Sequence, residues 1–142
     1  MIMISTKGRY ALRVMVDLAA HQAEGYTPLK DIAQRQQISE KYLESILKGL
    51  VQQRVLVGIR GKGGGYRLTK APEEYTIGSI LRFTEGELAP VACLESSAEP
   101  CPRQESCPTL PLWQKLNGLI QDFFNGVTLA DLMPEEQEKA GE

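Results

Sequence analysis

The sequence predicts a mainly α-helical chain with a small β-hairpin, and three observations carry that expectation. Apolar residues recur at helical spacing over residues 5–22, 28–36, 40–52 and 110–125. The pattern turns short and β-branched at 55–60, then alternates at 66–69. Between those runs lies Gly61-Lys62-Gly63-Gly64-Gly65, which reads as a turn because four glycines in five residues weaken any helix or strand interior. The 142 residues suit one domain or a small domain with an appendage, and 42% hydrophobic with 24% charged residues exclude disordered and collagen-like classes. Uninterrupted apolar runs are too short to cross a bilayer, and Met1-Ile2-Met3-Ile4 meets Lys7 and Arg9 too early for a secretory signal. A cytoplasmic location with no membrane partner is the expectation.

The first helix places Ala11, Val14, Met15, Leu18 and Ala19 on one face, with Lys7, Arg9, Arg13 and Asp17 largely elsewhere. Ser5 or Thr6 can cap its start, and Gly25 lies just beyond its end. Thr27-Pro28 reads as an N-cap followed by proline at the first helical position, opening a helix with Leu29, Ile32 and Ala33 inward. Ser39 caps a third helix, with Glu40 in its first turn and Leu43, Ile46, Leu47 and Leu50 on its apolar face. Only Gln37-Ile38-Ser39 separates these two helices, the length of a helix-turn-helix connection. Three helices followed by a hairpin is the order of a winged helix-turn-helix.

Beyond it, Thr76 caps a helix to about Glu85, with Ile77, Ile80 and Leu81 apolar. Residues 86–109 are rich in Pro, Glu and Ser and hold all three cysteines. A long helix over about 110–125 carries Leu112, Trp113, Leu116, Leu119, Ile120, Phe123 and Phe124, and Thr128 with Asp131 forms a capping pair for a final turn. The chain thus divides into a winged helix-turn-helix at 1–70, a connecting helix at 71–85, a cysteine-bearing loop at 86–109, a long helix and final turn at 110–133, and an acidic tail at 134–142 expected to be disordered.

The charge supports that division. The net −2 averages residues 1–70, with 12 basic and 5 acidic side chains (net +7), and residues 71–142, with 4 and 13 (net −9). A basic module joined to an acidic one points to nucleic acid as the partner of the first; chance clustering of solvated charge is the plainer alternative.

In a helix-turn-helix the second helix enters the major groove and presents its N-terminal residues to base edges. With its apolar face inward, the helix opened by Ser39 leaves Lys41, Glu44, Ser45 and Lys48 facing out. Lys41 and Lys48 suit phosphate or guanine, Glu44 can accept from a cytosine amino group, Ser45 is permissive, and the helix N-terminus near Ser39 favours phosphate. Arg60 and Lys62 bring two cations to the glycine turn, as suits a wing along the minor groove with Arg60 inserted where it is narrow. The turn is no phosphate-binding P-loop, since it lacks a Gly-Lys-Ser/Thr ending and no helix follows. A plain glycine hairpin is the remaining alternative.

Cys93, Cys101 and Cys107 are separated by seven and five residues. An odd count with no export signal argues against a disulfide framework. Zinc favours closer pairs and four ligands, and His21, the sole histidine, lies far away on a helix, where a structural role is expected. Iron–sulfur clusters tolerate wider spacing on loops, and Pro100, Pro102 and Pro108 stiffen this one. From spacing alone, a cluster, reactive thiols, zinc and inert cysteines all stay open, with the cluster favoured.

Ile4-Ser5-Thr6-Lys7-Gly8-Arg9-Tyr10-Ala11, Tyr42-Leu43-Glu44, Arg60-Gly61-Lys62-Gly63-Gly64-Gly65-Tyr66, the three cysteines followed by Leu112-Trp113, and Val127-Thr128-Leu129-Ala130-Asp131-Leu132 together resemble the bacterial IscR-type regulators. The resemblance runs from about residue 3 to 133. It implies a homodimeric winged-helix transcriptional regulator, repressor or dual, whose long helix forms the dimer interface. It further implies Cys93, Cys101 and Cys107 as ligands of a [2Fe–2S] or [4Fe–4S] cluster. Lys41, Tyr42, Glu44 and Ser45 would lie on the recognition helix, with Arg60 as the wing arginine. Two departures stand out. The best-known members carry a histidine three residues after the last cysteine, where this chain has Leu110, and nitric-oxide-sensing members use a first-helix aspartate, near Arg9 here. The fourth ligand is therefore open among Glu95, Glu99, Glu105, a partner-subunit residue, or an exogenous thiol or water.

The seven large apolar residues of the long helix exceed what a small winged helix covers. Packing on residues 1–22 of the same chain is one solution; pairing across a two-fold axis is the favoured one, and it predicts a palindromic double-stranded operator. Two other readings stand beside the cluster sensor: a cluster-free thiol sensor of cysteine metabolism on the same fold and, more distantly, a small iron–sulfur electron carrier. An enzyme is not expected, because no catalytic triad, paired-carboxylate or nucleotide motif occurs.

Overall fold

The computed structural model describes residues 4–95, 99, 102–103 and 105–134. Helix α1 (Thr6–Ala20) is capped by Ser5, whose hydroxyl accepts from the Gly8 amide at 3.0 Å. It stops two residues short of the expected end. His21 closes it, donating its backbone N–H to the Leu18 carbonyl, and its Nδ1 lies 2.8 Å from the Asp17 carbonyl. Helix α2 (Leu29–Gln36) departs from the expected cap. Pro28 holds that position without a side-chain cap bond, while Thr27 is buried and pairs backbone to backbone with Tyr66 at 2.8 and 2.9 Å. Thr27 therefore works as a strand residue, tying the hairpin to the start of α2. Gln37 turns the chain with a left-handed φ of 55°, and the Ser39 hydroxyl accepts from the Tyr42 amide at 3.2 Å to open α3 (Glu40–Gln52).

Strands β1 (Leu56–Ile59) and β2 (Gly65–Leu68) pair antiparallel, Leu56 opposite Leu68 and Ile59 opposite Gly65. Gly65 is thus the first residue of a strand rather than part of the turn. A Cβ there would sit 2.2 Å from the Thr27 carbonyl oxygen, and one on Gly64 would sit 2.2 Å from the Ile59 carbonyl. These two glycines admit the close approach of the chain's own backbone. Gly61 and Gly63, at φ 90° and 78°, make the turn itself.

One core joins α1, α2, α3 and the hairpin through Val14, Met15, Leu18, Ile32, Leu43, Ile46, Leu47, Leu50, Leu56 and Leu68, and it continues to Tyr75, Ile80 and Leu129. The buried Tyr75 hydroxyl donates to the Val55 carbonyl at 2.8 Å and accepts from the Thr69 amide at 2.9 Å, fastening the hairpin's end. Thr76 caps α4 (Ile77–Glu85), accepting from the Ser79 amide. The Glu85 carboxylate at its far end accepts from the Ser5 amide and hydroxyl, so α4 holds the N-terminus of α1.

Helix α5 (Leu110–Gly126) leads to the short α6 (Leu129–Leu132), where the Asp131 carboxylate accepts from the Thr128 amide at 2.9 Å. Ile120, Phe124 and Val127 pack on Ile77, Leu81 and Leu88, with Ile4 and Leu12 at the edge of this second cluster. Among the described residues, packing therefore covers only one side of α5, and mainly against α4. Leu112, Leu116, Leu119 and Phe123, spaced for one face, remain 58, 37, 61 and 65% exposed.

Sequence pattern set Asp17 outside the core, yet its side chain is 2% exposed. Arg35 donates to both its oxygens at 2.9 and 2.7 Å, and the Gln36 amide donates to Oδ2 at 2.9 Å. A buried carboxylate requires such partners, and this one fixes α2 against α1. The hydrogen bond to Asp17 in turn holds the Arg35 guanidinium still more firmly protonated than usual. Cys101 and, Pro134 apart, the tail at 134–142 lie outside the described residues.

Candidate nucleic-acid interface and cysteine segment

The outward side of α3 and the inner side of the hairpin face one open groove of about 1430 Å³. Its walls include Ser39, Lys41, Tyr42, Glu44, Ser45 and Lys48 from the start and middle of α3, with Arg60 opposite them. Of the eight residues expected to touch DNA, only Lys62 is not among those walls; it stands exposed at the hairpin tip. The convergence is local in origin. The buried residues Leu43, Ile46, Leu47 and Leu50 turn the opposite side of α3 outward, and the Thr27–Tyr66 pairing anchors the hairpin beside it.

Chemically the groove suits a polyanion with readable edges. Lys30, Lys41, Lys48 and Arg60 line it against Glu40 and Glu44, and none of these cations is ion-paired among the described residues. The Ser45 hydroxyl donates to the Tyr42 carbonyl at 2.7 Å, which leaves its oxygen as an acceptor. Tyr42 is 36% exposed, an aromatic edge at the groove floor. Sequence reading missed Lys30. Its place in the first turn of α2 was the available signal, since the first helix of a helix-turn-helix pair crosses the DNA backbone.

Of the cysteines, Cys93 is exposed and Cys107 half-buried, and both are free thiols. The Thr109 hydroxyl lies 3.4 Å from the Cys107 sulfur. That hydrogen bond, aided by the Thr109 and Leu110 backbone amides and by Arg103, holds the Cys107 thiol below its ordinary pKa. Among the described residues no three His, Cys, Asp or Glu side chains gather as a metal site, and Cys101 is not among those residues. No helix among them is long and apolar enough to cross a membrane.

Comparison with known proteins bears on both regions. Residues 4–135 match the Rrf2 family, described as an iron-dependent transcriptional regulator. The chain belongs to the Rrf2 family. It is 37% identical over 134 residues to the HTH-type transcriptional regulator IscR of Erwinia tasmaniensis, covering 94% of this chain and 80% of that protein. Among solved structures it resembles CymR, the global cysteine regulator of B. subtilis, with a TM-score of 0.75, 39% identity, and coverage of 93% of this chain and 96% of that one. It also resembles T. potens IscR, with a TM-score of 0.71, 33% identity, and coverage of 99% and 89%. The chain is therefore an Rrf2-family transcriptional regulator with a winged helix-turn-helix fold, as the IscR-type motifs implied.

Proposed function

We propose that this Rrf2 regulator binds a palindromic double-stranded operator as a homodimer and that Cys93, Cys101 and Cys107 hold an iron–sulfur cluster whose status it senses. The observation that carries the DNA reading is the single groove joining the N-terminal half of α3 to the wing arginine. Lys41 and Lys48 neutralise phosphate, Glu44 and Ser45 meet base edges, Ser39 sets the helix N-terminus toward phosphate, and Tyr42 adds an apolar contact. Arg60 enters the minor groove, with Lys62 on the adjoining backbone. A second copy of the chain covers the exposed face of α5 and sets two recognition helices about one DNA turn apart.

The donor chemistry fits a cluster. Accessible thiols in free form, one of them already biased toward thiolate, are what iron–sulfur ligation requires. When bound, the cluster supplies a redox- and iron-responsive state. The segment that would carry it runs from α4 to α5, between the helix that holds the start of α1 and the helix with the dimer face. A cluster-free thiol sensor is the second reading, favoured by the same Cys107–Thr109 contact and by the likeness to the cysteine regulator CymR.

Iron and sulfide analysis with visible spectroscopy on anaerobically purified protein decides between them. The proposal expects a chromophore with stoichiometric iron and sulfide, lost on Cys93→Ala, Cys101→Ala or Cys107→Ala; colourless, iron-free protein sinks it in favour of the thiol sensor. Selection from random duplexes is expected to return inverted repeats, with affinity falling steeply as salt rises.

A further inference from the structure

Tyr42 is held from behind by the first helix. Its ring meets Tyr10 of α1 edge-on, with centroids 5.8 Å apart and planes at 68°. Arg13, nearly one turn along α1, lays its guanidinium over the Tyr10 ring at 5.0 Å. The same guanidinium donates from Nε to the Gln36 side-chain oxygen at 3.2 Å and from its other arm to the Gln36 carbonyl. Gln36 is the last residue of α2 and also donates to the buried Asp17 carboxylate. Two side chains of α1 therefore grip both flanks of the helix-turn-helix corner: the end of α2 before Gln37, and the first turn of α3 after Ser39. Tyr42 lines the groove, whereas Tyr10 and Arg13 do not.

We infer that Tyr10, clamped by Arg13, is a positioning residue for operator readout that acts on DNA only through Tyr42. The inference rests on the reading of α3 as the recognition helix. A partly exposed tyrosine samples several rotamers, and fixing one of them on DNA costs entropy. The edge-to-face contact with Tyr10 removes that cost beforehand, because the ring edge is attracted to the neighbouring face in one orientation. Arg13 holds Tyr10 in turn, through its cation over the ring and its two-armed grip on Gln36.

The test is a double-mutant cycle on the full chain, read as affinity for a duplex that the wild-type protein selects from a random library. Tyr10→Leu is expected to weaken binding about two- to tenfold, with an unchanged salt slope because no phosphate contact is lost. Tyr10→Phe keeps the ring and binds like wild type. In a Tyr42→Leu background Tyr10→Leu adds no further loss. Thermal melts check that each variant is folded, and Arg13→Lys, which keeps the charge but not the two-armed grip, repeats the test if Tyr10→Leu does not fold. Additive losses for Tyr10→Leu and Tyr42→Leu, a reduced salt slope, or wild-type affinity in Tyr10→Leu overturns the inference. Lys48→Ala separates the two levels: if it weakens binding, the recognition helix stands whatever the cycle gives. If Lys48→Ala and Tyr42→Leu both bind like wild type, the reading of α3 falls as well.

Discussion

Glu44 is the residue whose presence in a phosphate-facing groove most needs a reason. A carboxylate there would repel the DNA backbone, so on the proposed reading its contribution is to accept from a cytosine amino group in the major groove. Glu44→Ala is expected to relax discrimination at one base position of each half-site by about 1–3 kcal/mol, while binding to unrelated duplexes stays equal or tightens. Selection on duplexes randomised at each position measures this, and an unchanged base preference removes Glu44 from the readout set. Cys107 offers a second prediction at this scale. The thiolate accepts hydrogen bonds that the thiol cannot use as well, so the folded-state pKa is lowered and the reactive form persists to lower pH. In metal-free protein carrying Cys93→Ser and Cys101→Ser, the pH midpoint for iodoacetamide labelling of Cys107 lies below that of an ordinary thiol. Thr109→Val moves the midpoint upward without unmaking a cap, since the Thr109 side chain makes no cap bond to α5. An unmoved midpoint would deny the hydroxyl this role.

At the scale of elements, the sequence is legible wherever the deciding interaction is local. The caps at Ser5, Ser39 and Thr76 and the apolar faces of α1, α3 and α4 are set within a few residues, and the helices stand where those signals place them. Thr27 and Asp17 were illegible for the opposite reason: their partners, Tyr66 and Arg35, come from other elements, so only the folded chain turns a cap into a strand pair or an outward charge into a buried one. The groove was legible as a set of residues on one helix and one turn. Its rear support by Tyr10 and Arg13 was not, because it depends on how α1 crosses α3. The cysteine spacing is plain in the sequence, but which groups meet in space depends on how the segment between α4 and α5 is folded, not on spacing.

The hairpin's docking yields an element-scale prediction. Gly65→Ala puts a methyl group 2.2 Å from the Thr27 carbonyl at a φ of 147°, so the Thr27–Tyr66 pairing must open. The expected loss is about 1–3 kcal/mol of stability, together with weakened operator binding as the wing leaves its place. Gly61→Ala meets open space and bears only the positive-φ strain, about 1 kcal/mol. Urea melts rank the two variants, and equal losses would show that the docking contact does not hold the wing.

At the scale of the whole molecule, charge and apolar surface divide the labour. The basic 1–70 region presents the groove, and on the proposed reading the −9 of residues 71–142 would repel phosphate and so restrict DNA to α3 and the hairpin. The same acidic region carries the stripe Leu112, Leu116, Leu119 and Phe123, which the chain's own core leaves uncovered. Fully burying one such side chain is worth about 1.5–3 kcal/mol, and a two-fold axis would bury each of the four twice. That gain must exceed the loss of translational and rotational freedom on association, roughly 4–15 kcal/mol, so a charge placed in the stripe, buried twice over by the symmetry without a partner, opposes association. Phe123→Arg is therefore expected to sediment as a folded monomer at micromolar concentration, melting below wild type only by the stability that association supplies, because Phe123 lies outside both buried clusters. Its neighbour gives the contrast: Phe124 packs on Ile77, Leu81 and Leu88, so Phe124→Ala lowers stability by about 3–5 kcal/mol at most and acts through the fold first. The Phe123→Arg monomer is also expected to lose most of its affinity for an inverted repeat, because the second half-site no longer benefits from the first, yet to keep wild-type affinity for an isolated half-site. A variant that still sediments as a dimer would place the two-fold axis away from α5, and equal weakening on both duplexes would locate the damage in the DNA-binding module.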